Sequence, residues 1–205
     1  MKPAYGSLMA AAVVALLAGC VPAATPAESP SPAAPTSAAP SPSPTVDFVP
    51  LVLPECEVLL PLAVAQESFS PETVLLGDLP PAEFTGRSSI ASIGATLAAA
   101  PIARVCSYGV PNSDGVFFVG VAEVTEAQRD ALQTELTGAG YLQSDNGALT
   151  TFDLATEGEV STLAFTHVFA GSVWVLGDTT SLEIGTTVTT TALDAVRAAN
   201  PTRGL

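Results

Sequence analysis

His167 is the one histidine in the 205 residues, so any mechanism that moves a proton through an imidazole has to use it. It falls in the alternation Leu163, Phe165, His167, Phe169, which places it on the apolar face of a strand. A lone histidine among phenylalanines reads first as a packed ring with one hydrogen-bond partner, and second as a general base. A serine hydrolase would pair that base with a Gly-x-Ser-x-Gly turn, and the chain has none. The nearest stretch, Gly86-Arg87-Ser88-Ser89, reads as a helix cap. Trp174 alternates with Leu176, opposite Val173 and Val175, on a segment that neighbours Phe165 and Phe169. Phe165, His167, Phe169 and Trp174 therefore share a face. Packing is their first reading, and the lining of an apolar ligand cleft between sheet and helices is the second.

Other chemistries find little to work with. A single imidazole excludes the ordinary zinc sites, which need several nitrogen or sulfur ligands close together. Asp114-Gly115 and Asp145-Asn146-Gly147 offer oxygen ligands but read first as turns, without the spacing of a calcium loop. Gly138-Ala139-Gly140 follows a helix, the wrong end for phosphate binding. A pair of carboxylates for hydrolysis has no sequence signature, because such pairs meet only in the fold. The expectation is no metal, no cofactor and no catalytic residue, with a carboxylate-dependent hydrolase as the alternative function.

Six basic and twenty acidic side chains give a net charge of −14. Such a surface repels nucleic-acid phosphates and anionic headgroups, which excludes both as partners of the domain surface. It also keeps a secreted protein in solution.

Ahead of the folded part, Lys2 is followed by the apolar run Leu8 to Ala18, ending in Leu17-Ala18-Gly19-Cys20. Eleven apolar residues are too few to span a bilayer, which takes ~20 in a helix, and residues 1–19 have the layout of a secretory signal. The final four resemble the lipobox of bacterial lipoproteins. That resemblance implies a diacylglycerol on the Cys20 thiol and Cys20 as the first mature residue. The chain would then be anchored in the cell membrane through that lipid, on its extracytoplasmic face. No Arg-Arg pair precedes the apolar run, so export of an unfolded chain is expected, which disfavours a cofactor inserted beforehand.

With Cys20 assigned to lipid, Cys56 and Cys106 remain as an even pair in an oxidising compartment, and a disulfide between them is expected. Two buried free thiols are the alternative. Residues 20–46 form a linker in which Val21 to Val46 hold eight prolines among Ala, Ser and Thr. Such a segment buries no core and favours polyproline II. Fully extended, it would reach ~80 Å from the membrane, and its composition also suits O-linked sugars.

Residues 47–205 read as one α+β domain. Val49 to Leu53 are extended, and Cys56 to Ala65 helical with a break or restart at Pro61. Ser70-Pro71-Glu72 looks like a helix start. Ser89 to Ala99 forms a helix stopped by Pro101. Hairpins follow around Asn112-Ser113-Asp114-Gly115, Asn146-Gly147 and Ala170-Gly171. Between the first two, Thr125 and Gln128 make a capping box for a helix, and Thr191 to Ala199 closes the chain as a short helix. The expected architecture is an antiparallel sheet built from successive hairpins with helices packed on one face. This layout, with an early helical Cys and a later strand Cys, is similar to small actinobacterial lipoproteins of unknown function. The expected function is a lipid-anchored envelope module that binds an envelope protein or a small apolar ligand without catalysis.

Overall fold

The computed structural model describes residues 49–159 and 161–205. The signal segment, Cys20 and the linker lie outside the described residues. Seven strands form one antiparallel sheet: β1 (Val74–Leu79), β2 (Ala103–Gly109), β3 (Val116–Glu123), β4 (Leu142–Asn146), β5 (Leu149–Glu157), β6 (Thr162–Ala170) and β7 (Val173–Thr179). Their spatial order is β1-β2-β3-β7-β6-β5-β4. Five helices join them: α1 (Cys56–Leu59), α2 (Leu62–Ser68), α3 (Ala91–Ala99), α4 (Glu126–Gly138) and α5 (Leu182–Ala199). The α+β class and the hairpin-built sheet are those the sequence leads one to expect.

The chain carries β1, β2 and β3 inward from one edge. It then crosses through α4 to the opposite edge and returns as β4, β5, β6 and β7, so that β7 closes against β3. Two tight turns fix the registers of the returning hairpins. Asn146 pairs with Leu149 around Gly147 (φ 63°), and Ala170 pairs with Val173 around Gly171 (φ 59°). Positive φ at the first loop position matches the right-handed twist of the flanking strands, and glycine adopts it without steric cost.

The helices cover both faces of the sheet, a correction to the single covered face expected. On one face α1, α2 and α5 pack over Cys106, Tyr108, Phe117, Val119, Val168, Val173 and Val175. On the other, α3 and α4 press Ile93, Leu97, Leu132 and Leu136 onto Val105, Phe152, Phe165, Trp174 and Leu176. The reason lies in the central strands. Every residue of β7 is buried, as are the last seven of β6. A strand that is apolar on both sides has to be covered on both sides.

Two further boundaries differ from expectation. Ser70-Pro71-Glu72 opens no helix. It is a turn, with the Thr73 N–H on the Ser70 carbonyl, and it leads into β1, an edge strand with an irregular step between Leu75 and Gly77 that leaves Leu76 half exposed. That irregularity hides the two-residue period of β1 from the sequence. Thr191 does not start the last helix. Ser181 does, its hydroxyl accepting from the Ile184 N–H. The Thr-rich stretch 186–191 has low helix propensity, yet Thr187, Thr189 and Thr191 donate back to the carbonyls of residues 183, 185 and 187. The stripe Gly185, Val188, Thr189, Ala192, Leu193, Val196 is buried against the sheet. Burial outweighs propensity here. The Thr125–Gln128 capping box forms as expected.

Cys56 and Cys106 are joined, with Sγ atoms 2.07 Å apart and Cα atoms 5.6 Å apart. The bridge fastens the start of α1 to β2. Beside it the buried Tyr108 hydroxyl is shared between the carbonyls of Cys56 (2.6 Å) and Leu60 (2.8 Å). Desolvation, and secondarily the charge of Glu57, push that phenol upward, so it stays a donor. The other end of the domain is tied by Asn200, which accepts from the Val52 N–H and donates to the carbonyls of Val52 and Val196.

Candidate functional site

The four aromatic positions singled out in the sequence meet at the centre of the α3/α4 face. Antiparallel register sets Phe169 beside Trp174, His167 beside Leu176 and Phe165 beside Asp178, while Phe152 of β5 flanks His167 on the other side. The rings of Trp174 and Phe169 are stacked (7° between planes, centroids 6.2 Å apart), and those of His167 and Trp174 lie within 20° of parallel at 5.8 Å. Tyr141, between α4 and β4, tilts over His167 at 5.4 Å.

These residues form no open cleft. Phe165, His167, Phe169 and Trp174 are all at least 96% buried, and the void beneath their cover is about 10 Å³, at the limit for one water molecule. Phe165 and His167 reach that void; Phe169 and Trp174 lie behind them, packed. The packed reading thus describes the site.

The geometry fixes the protonation of His167. Its Nδ1 lies 3.2 Å from the Trp174 Nε1. An indole nitrogen only donates, so Nδ1 must accept, and the ring proton sits on Nε2. Desolvation pulls the imidazole down to about 3 from its ordinary 6.5, so the ring is neutral at physiological pH. The Nε2–H is buried and has no protein partner. A neutral imidazole in this tautomer has no lone pair left with which to take a proton.

His167→Phe is expected to trade one unpaired donor for another, leaving the Trp174 N–H orphaned and removing the Nε2–H. The net stability change should stay within about 1–2 kcal/mol. The pH dependence is the sharper signature. The native ring binds no proton between 6.5 and about 3, whereas the unfolded ring does, so stability is lost as pH falls through that window. Chemical denaturation at pH 7 and pH 4.5 should show a loss of roughly 2–3 kcal/mol for the wild type that is largely absent from His167→Phe. An equal loss in both would exclude the neutral buried ring.

The cover over the void is a strap between β1 and α3, and it is not the helix cap expected of Gly86 to Ser89. Ser88 accepts from the Ile90 N–H, one residue ahead of α3, and the helix itself starts without a side-chain cap. The strap is tied by Arg87, whose backbone N–H and Nε donate to the Asp178 carboxylate at 2.7 Å each, and whose Nη2 lies 2.6 Å from the same carboxylate and donates to the Thr179 carbonyl at 3.0 Å. Asp178 is 97% buried. Burial pushes its carboxyl up and Arg87 pulls it partly back. Ser88 and Tyr141 hydroxyls make a second tie at 3.3 Å. Sequence reasoning missed the Arg87–Asp178 pair because 91 residues separate its members. One signal was present: Asp178 extends the apolar alternation Trp174, Leu176, and a carboxylate in that row demands a buried cation.

The second buried carboxylate, Glu123, is paired with Arg203. It sits on the opposite face of the sheet, five positions along β3 from the partner of Asp178, or roughly 17 Å at strand rise. Among the described residues no group of three His, Cys, Asp or Glu side chains could hold a metal ion, and no helix is long and apolar enough to cross a membrane. Asp145 accepts from Thr150 and Gln143 nearby, local turn chemistry. Comparison with protein-family models, with curated proteins and with solved structures finds no match.

Proposed function

We propose that this chain is a lipid-anchored lipoprotein of the cell envelope, held to the membrane through Cys20, whose domain binds a ligand or partner protein without catalysis. The observation that carries the non-catalytic reading is the His167 ring, whose one proton-accepting nitrogen is occupied by Trp174. The two buried carboxylates favour the same reading over a carboxylate hydrolase, since each is paired with an arginine and they lie on opposite faces of the sheet. An extracytoplasmic address agrees with the Cys56–Cys106 bridge, which persists only in an oxidising compartment.

The tether is tested by expressing the full chain and its Cys20→Ala variant in a bacterial host with labelled palmitate. The wild type should take up label and sediment with membranes, and Cys20→Ala should do neither, because one domain without its acyl chains has no membrane affinity of comparable size. A labelled Cys20→Ala, or one that stays in the membrane cut at the same position, would sink the proposal.

A further inference from the structure

We propose that the strap Thr85–Ser88 is the lid of a small-ligand site, in which the His167 Nε2–H donates to one acceptor oxygen of a compact, uncharged, mainly apolar molecule. The inference rests on the binding-module reading above and names the ligand class. Its starting point is the buried Nε2–H that no protein group satisfies, on a ring that lines the void under the strap. Buried donors are almost always paired, and leaving one open at the centre of a packed face is a cost that a bound acceptor removes.

The void as it stands, about 10 Å³, holds nothing larger than water. On the far side of the same strap residues lies a second cavity of about 260 Å³, bordered by Leu79, Val116 and Phe118. Because Thr85 and Gly86 line both, an outward swing of the strap opens the void onto that cleft, a space no larger than the ~300 Å³ lower bound for ligand sites. That size sets the compactness of the ligand. Phe165, Leu176 and Ile93, which line the void beside His167, set its apolarity and disfavour a charged ligand, and the neutral His167 ring gives an anion no counter-charge.

The strap is held by few ties. Gly86 takes φ 60°, and a Cβ there would press on the Phe84 ring at 3.1 Å. Thr85 to Ser88 belong to no helix or strand. They are tied by Arg87 to Asp178 and Thr179, through its backbone N–H as well as its guanidinium, and by Ser88 to Tyr141, while the Ser88 hydroxyl also accepts from the Ile90 N–H. Weakening either tie raises the open fraction, and the apparent affinity rises in proportion.

The chain has one histidine and one tryptophan, so a ¹⁵N-labelled full-length sample gives a single imidazole and a single indole signal from this site. Cyclohexanone serves as the probe with an acceptor, and methylcyclohexane as the one without. Cyclohexanone should produce a saturable downfield shift of the His167 Nε2–H that methylcyclohexane does not. Tyr141→Phe and Arg87→Gln should each bind it several-fold more tightly. In His167→Phe, read at the Trp174 indole, the preference for the ketone should fall by about tenfold. Three results would overturn the proposal: no saturable shift in the wild type or either latch variant, equal shifts with both probes, or one trapped water that cyclohexanone does not displace. A silent site would remove the small-ligand occupant and leave a tethered module for a protein partner. Loss of palmitate labelling at Cys20 would remove the tether and leave these spectra unchanged.

Discussion

Arg87→Ala is expected to lower the unfolding free energy at pH 8 by about 3 kcal/mol, because it strands the Asp178 carboxylate, almost wholly buried, without its cation. The arginine itself is one quarter exposed, which keeps the figure at the lower end for a broken buried pair. Burial already pushes Asp178 upward with Arg87 in place, so without it the carboxyl is held further up and escapes the penalty by taking a proton. The deficit should therefore shrink as pH falls. The native variant then binds a proton that the unfolded chain, with an ordinary carboxyl near 3.8, does not, and stability rises relative to the wild type on acidification. Urea denaturation of both proteins at pH 8 and pH 5.5 checks the size and the sign. A deficit that is constant with pH would mean that the carboxylate reaches water once Arg87 is gone. Asp178→Asn should cost less than Arg87→Ala, since it removes the buried charge and leaves a partly exposed guanidinium that water can solvate.

Removing the Cys56–Cys106 bridge is expected to cost a similar amount. The two residues are 50 apart in sequence, and the chain-entropy account gives about 4 kcal/mol for a loop of that length, or roughly 8–16 °C in melting temperature for a domain of this size. Cys56 and Cys106 are 3% and 0% exposed, so a reductant should act through opened molecules. Intact mass under native conditions should then be unchanged by mild reductant over the time in which denaturant plus reductant adds two hydrogens. Two thiols alkylated in the native, unreduced protein would refute the bridge. The double Cys56→Ala, Cys106→Ala variant, melted beside the wild type, measures the stability. A loss under about 1 kcal/mol would mean that the unfolded chain keeps its contact between α1 and β2 without the bond.

Much of the fold was legible from local chemistry. The hairpin around Gly147 and the one around Gly171 announce themselves because only a few residues take positive φ. The Thr125–Gln128 capping box is a contact between side chain and backbone three residues apart, so no distant part of the molecule can overrule it. Even the Cys56–Cys106 pairing follows from counting, once Cys20 is assigned elsewhere. For the same reason the shared face of Phe165, His167, Phe169 and Trp174 could be read directly, since the period of two in a strand is a local property.

What tertiary structure alone decided is where distant pieces meet and which local preference yields. The long α5 exists because the stripe from Gly185 to Val196 is buried on the sheet, and that burial overrides a threonine run which would not hold a helix in isolation. Both faces of the sheet are covered because β6 and β7 carry apolar residues on both sides, a pattern whose consequence depends on where the helices are sent. The site follows the same division. The sequence by itself placed His167 among aromatic rings. Only the fold decided that Trp174 takes its Nδ1, that Arg87 arrives from 91 residues away to pair Asp178, and that the Nε2–H is left unpaired under a strap. Such contacts are set by crossovers between β1 and α3 and between β3 and β4, and chain connectivity through space leaves no period in the sequence from which to read them.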